Sequence, residues 1–195
     1  MRLQKKTLMK PILSILFSLL ATSTAHAASE QQMIDESRLA IKAFAGQLKS
    51  ELMAGMKKGG PLQAMGVCNT VAEEIASDNS KKLGWEISRT SLKPRNANNS
   101  PDTWEAAVLT SFEERKEAGE AISKIDHAEV VSNDGLTQFR YMKAIPTKSL
   151  CLNCHGENIP ADILRRIGQL YPNDMAHGFK AGDIRGAFSI TRTVQ

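Results

Sequence analysis

The sequence predicts an α+β domain, with N-terminal helices packed on an antiparallel sheet. Three observations carry this. Apolar residues recur at helical spacing early in the chain, where Ile34, Ile41, Phe44, Leu48 and Leu52 fall at steps of seven, three and four. Two strand-like stretches flank Asn133-Asp134-Gly135, a hairpin turn sequence. The elements follow the order helix, helix, strand, helix, strand, strand, helix, strand, which suits an antiparallel sheet.

Taken in order, residues 1–27 read as an export leader. Arg2, Lys5, Lys6 and Lys10 form a charged start, Pro11 to Ala21 an apolar stretch, and Ala25-His26-Ala27 a small-x-small cleavage site. The apolar stretch is short for a bilayer span. No Cys stands near the site to carry a lipid. The expectation is cleavage after Ala27, periplasmic location, no membrane span thereafter, and one domain over 28–195.

The first helix is expected over 29–57, ended by Gly59-Gly60-Pro61. A second is expected over 61–78, with Leu62, Met65, Cys68, Val71, Ala72 and Ile75 on one apolar face. Residues 84–90 partly alternate and read as a strand. The polar segment Ser91 to Ser100 is rich in Asn. Pro101 then opens a third helix to about Gly119, with Trp104, Val108 and Phe112 on one face and Ser100 as the expected N-cap. The hairpin strands are expected at 129–131 and 136–145. A short helix covers 160–170, stopped at Tyr171-Pro172, and 182–193 is the last strand.

The formal charge of +4 belongs to the leader. Its four basic residues account for the excess of 25 Lys and Arg over 21 Asp and Glu, so the mature chain is balanced. Nothing in that balance favours a nucleic acid or an anionic membrane surface as partner. With few cysteines, the chain is no disulfide scaffold.

Cys151-Leu152-Asn153-Cys154-His155 reads C-x-x-C-H, the attachment sequence of a c-type haem. Two thiols at this spacing reach the two vinyl groups of a porphyrin and form thioethers, and the adjacent imidazole becomes an axial iron ligand. With three Cys and four His in the chain, chance gives such a match roughly once in a thousand. The competing readings are a redox disulfide and half a zinc site, and the second lacks further cysteines. One covalent haem c is therefore expected. The motif lies late in the chain, unlike the small all-helical cytochromes that carry it early.

The opposite face of the iron needs its own donor or stays open. Cys68, Met65, Met142, Met175, His127 and His177 are the candidates, and the residues alone leave the choice open. A Cys or Met on an apolar helix face is more often packing.

Several stretches carry a resemblance. They are Met65-Gly66-Val67-Cys68 with Val71-Ala72, Arg89 to Asn96, Asn99 to Glu105, Cys151 to Gly156, Tyr171 to Asp174 with Ala176, and Gly182 to Ala187. Together they resemble a family of exported single-haem proteins with a PAS-like fold, long described as a domain of unknown function. Its members occur alone or as the sensing part of membrane histidine kinases. The resemblance covers most of residues 30–193 and implies iron held by His155 and Cys68. One departure stands at Asn69 to Glu73, where the family pattern has a Pro beside the Ala.

A metal-bound thiol is a thiolate. Such a donor stabilises ferric iron and lowers the reduction potential, whereas a neutral Met raises it. Loss of the thiolate on reduction would couple an electron to movement of the second helix. Arg89, Lys93 and Arg95 are candidates to neutralise the haem propionates. The alternative for that segment is a solvated loop ordered by its Asn turns. The expected function is a low-potential electron carrier or redox sensor, not an enzyme, working with a separate redox or signalling protein. The alternatives are a gas-sensing module with a labile Cys ligand and a peroxidase-type haem enzyme. The latter wants a distal acid–base group that the sequence does not offer.

Overall fold

The computed structural model describes residues 18–133 and 135–194. The chain divides into two units, Met1–Glu36 and Ser37–Gln195. The expected leader lies outside the described residues as far as residue 17. Residues 18–27 are helical backbone. In the described part of the first unit, Gln31 Nε2 donates to Asp35 Oδ1 and Gln32 Nε2 to Glu36 Oε1 across single helical turns. Among the described residues no helix is long and apolar enough to cross a membrane.

Helix α1 spans Ser18–Gly66 and is broken at Gly59 and Gly60. Gly60 takes φ 67, a conformation glycine reaches at little cost, and Pro61 starts the next helical stretch. The chain then doubles back closely. A Cβ on Gly55 would lie 3.0 Å from the Cα of Ala64.

The second helix departs from expectation. A π turn occupies Val67–Val71, and α2 follows at Ala72–Leu83, ending on Gly84 at φ 69. A π turn holds one extra residue, so it rotates the apolar stripe out of register. Leu62, expected on the buried face, is 46% exposed, and Cys68 within the π turn is half-buried.

Strands β1 (Glu86–Thr90), β2 (Asp126–Asn133), β3 (Leu136–Pro146) and β4 (Ile184–Thr193) form one antiparallel sheet in the order β1-β4-β3-β2. The hairpin falls where expected, with β2 longer than foreseen and Gly135 at φ 79. Asp134 of the turn lies outside the described residues. The last strand, β4, inserts between β1 and β3.

Helix α3 (Thr103–Glu117) covers one sheet face. Its Val108, Leu109 and Phe112 pack with Met142, Ala144, Ile184 and Ala187 in one buried cluster. Ser100 is not its cap. Asp102 accepts from the Glu105 backbone N–H at 2.7 Å, and Glu105 returns the bond to the Asp102 N–H at 3.1 Å, a complete capping box. The opposite sheet face meets α1, where Phe44 packs edge-on against Phe188 with ring centres 5.3 Å apart. The helical periodicity read at Ile41 and Phe44 is thus a buried stripe, and it continues past the sheet as Leu48 and Leu52.

Candidate functional site

The C-x-x-C-H residues sit on a 3-10 turn, Ser149–Cys151, running into a single-turn helix α4, Leu152–His155. Backbone bonds fix this piece to the segment before β4. Phe179 N donates to His155 O and Gly178 N to Gly156 O, both at 2.9 Å, and Thr147 N donates to Asp183 O at 2.7 Å. None of the three cysteines, Cys68, Cys151 and Cys154, is in a disulfide.

His155 Nδ1 lies 2.8 Å from the Ala176 carbonyl oxygen. A carbonyl only accepts, so Nδ1 carries the proton and Nε2 keeps its lone pair. Metal-binding histidines are held in this way. Burial, with help from Arg185, Arg95 and Arg89, pushes the His155 pKa down to about 2, which keeps the imidazole neutral. The Phe179 ring stands edge-on to it at 6.3 Å.

Behind His155 stands Arg95, 8% exposed. Its Nε and Nη2 donate to the two carboxylate oxygens of Asp174 at 3.1 and 3.2 Å. Nη2 also donates to the Cys154 carbonyl at 2.5 Å and to the Ala176 carbonyl at 3.0 Å. Asp174 Oδ1 in turn accepts the Ala176 N–H at 2.9 Å. Arg95 therefore ties the motif helix to the strand of chain that orients His155.

Cys68, Cys151, Cys154 and His155 all line one cavity of about 250 Å³. Its apolar wall comes from Leu48, Leu52, Met56, Met65, Ile145 and Phe188, so α1, the π turn, the sheet and α4 all contribute. Burial pushes the Cys68 thiol up, opposed by the positive charges of Arg89, Arg95 and Arg185. Burial likewise raises Cys154. Among the described residues no three His, Cys, Asp or Glu side chains converge as a metal cage.

Of the six candidates for the second iron ligand, Cys68 and Met65 line the cavity. Met142 is fully buried in the α3 cluster on the other sheet face. His127 lies in β2, against Trp104 and 3.5 Å from Glu129. Met175 and His177 are exposed and line no wall of the cavity.

The basic segment divides three ways. Arg89 lines the cavity. Arg95 also reaches its wall, but its guanidinium is committed to Asp174 and two carbonyls. Lys93 faces a separate cleft with Glu113, Lys116, Phe179 and Asp183, its Nζ 5.5 Å from the Phe179 ring centre. Sequence reasoning missed Arg185 as a site residue. It lines the cavity beside Gly186, although its strand was read correctly. The signals were a basic residue at the start of an apolar strand and its place in the Gly182 to Ala187 stretch that carries the resemblance.

The fold and cavity define a class: an α+β domain compatible with a PAS-like fold, in which a C-x-x-C-H motif and a distant cysteine share one apolar chamber. The chain belongs to the Tll0287-like family, whose sequence pattern matches residues 17–192. Among solved structures it is similar to the cyanobacterial heme-protein Tll0287. The two superpose with a TM-score of 0.64 at 22% identity, over 84% of this chain and 96% of that one. No curated protein matches the sequence.

Proposed function

We propose that this protein is an exported, periplasmic c-type haem protein that carries or senses single electrons at low potential. One observation carries the reading. Cys68 and the C-x-x-C-H residues, more than eighty positions apart in sequence, line the same apolar cavity. The family assignment, and the haem named for the similar cyanobacterial protein, support it.

The residues present suit a covalent haem. Cys151 and Cys154 would hold it through thioethers, and His155 through Nε2. Cys68, which lines the same cavity, would be the favoured second protein donor to the iron. Bound haem supplies a one-electron Fe(III)/Fe(II) couple. Cys68, as a thiolate, would stabilise the ferric state and lower the potential. A methionine of the wall, Met65 or Met56, would raise it instead. The Ala176 carbonyl holds the His155 proton on Nδ1, which would leave the Nε2 lone pair for the metal. The protein acts without catalysis, and a separate redox or signalling protein exchanges the electron or the signal.

Absorption and EPR spectra of protein matured in a cytochrome-competent periplasm test this, beside Cys68→Ala and Met65→Leu. The expected wild type is low-spin ferric with thiolate character, lost in Cys68→Ala and kept in Met65→Leu. An unchanged signal in Cys68→Ala removes thiolate ligation. Rapid carbon monoxide uptake by the reduced wild type would move the assignment to gas binding, and a high-spin wild type to an enzyme.

A further inference from the structure

Three arginines reach the cavity, and their charges are not treated alike. Arg95 is matched by Asp174. Arg89 and Arg185 are not matched. Among the described residues neither stands within ion-pair distance of a carboxylate. Of the nearby acids, Asp174 is paired with Arg95, and Glu73, which accepts from the neutral Asn96 amide, acts on Arg89 only beyond ion-pair distance. Two cations facing an apolar chamber without counter-charges are costly.

Arg185 is also anchored in a telling way. Its Nη1 donates to Ser91 Oγ at 3.1 Å and to the Lys93 carbonyl at 3.3 Å. Its Nε is buried and has no partner. Among the described residues nothing bonds Nη2 either. The Nε–Nη2 edge is the one that grips a carboxylate with two parallel hydrogen bonds. Desolvation lowers the pKa of both groups, Arg185 to about 10, as expected of cations held out of water without a carboxylate beside them, Arg185 having only neutral partners and the Phe179 ring 5.3 Å away.

We propose that Arg89 and Arg185 form a guanidinium pair that receives the two carboxylates of a dianionic ligand, which on the haem reading are the two propionates. This rests on that reading. Charge closes if it holds. The two guanidiniums offset the two propionates, and the Cys68 thiolate offsets the single positive charge of a ferric porphyrin. Lys93, first expected in this role, points into the other cleft and takes no part.

The test uses the matured holoprotein. The resonance Raman propionate bending mode of the wild type is expected at a hydrogen-bonded position. It should shift towards the free position in Arg89→Gln and Arg185→Gln, and the reduction potential should fall because a nearby positive charge is lost. Arg185→Lys keeps the charge without the fork, so the mode should shift while the potential moves less. Lys93→Gln should leave both readouts unchanged. Free, solvated propionates in the wild type would overturn the pair without any variant. So would coloured, folded glutamine variants with unchanged mode and potential. Colourless wild-type protein would instead remove the haem reading itself.

Discussion

Arg95 and His155 donate to the same acceptor, the carbonyl oxygen of Ala176, at 3.0 and 2.8 Å. The shared oxygen has a chemical consequence. A guanidinium on that carbonyl draws off electron density, so the carbonyl accepts less strongly from His155 Nδ1 and the imidazole donates less strongly through Nε2. Asp174 moderates this by neutralising the guanidinium. The latch therefore both places His155 and sets its donor strength.

Breaking the latch should be costly. Arg95→Met leaves the Asp174 carboxylate, 11% exposed, without its partner, and the expected loss is about 3–5 kcal/mol in urea unfolding. Arg95→Lys keeps the charge but not the fork, and should recover part of the loss.

Gly186 should tolerate no side chain. Its φ is +153, and a Cβ there would meet the Thr90 carbonyl oxygen at 2.3 Å and the Ser91 Cβ at 3.0 Å. Both obstacles belong to the β1 end that carries the cavity wall. Gly186→Ala should lower stability by at least about 2 kcal/mol, read as a drop in thermal midpoint.

The start of α3 separates two candidate caps. Asp102→Ala removes a complete capping box and should cost about 1–2 kcal/mol. Ser100→Ala should fall within about 0.5 kcal/mol of wild type, since Asp102 holds the cap. Parallel denaturation curves decide it.

Acid should act through Asp126. Burial raises its pKa, but hydrogen bonds from Arg38 and Tyr141, with the charge of Lys143, outweigh this and hold it below the ordinary carboxylate value. A depressed folded pKa contributes stability that is whole above the unfolded value of about 3.9 and is lost as pH falls through the folded one. Stability should therefore drop below about pH 4. Asp126→Asn should be less stable at pH 7 and should lose less on acidification. Unfolding midpoints at neutral and acid pH check both.

Much of this was legible in sequence because it is local. The stripe through Ile41 and Phe44, the stop at Gly59-Gly60-Pro61, the turn before Gly135 and the short helix after Pro160 each depend on neighbours a few positions away. The misreadings have equally specific causes. Ser100 and Asp102 both suit a cap, and the Glu105 side chain decides between them by completing the box. The π turn at Val67–Val71 had no periodic signature, because an extra residue in one turn only shows against a packing partner. Lys93, Arg95 and Arg185 are alike as charges, and their roles depend on which wall each faces.

By itself the sequence determined the order of helices and strands, the α+β class, and the motif whose two thiols and imidazole are set by covalent spacing. Tertiary structure alone decided that β4 enters between β1 and β3, that Cys68 comes to the chamber of His155, and that Arg95 pairs with Asp174 while Arg89 and Arg185 meet no carboxylate among the described residues. Spacing along a chain governs contacts within a turn or two. Contacts between residues a hundred positions apart arise only when the sheet closes and apolar faces find their partners, and this cavity is made of such contacts.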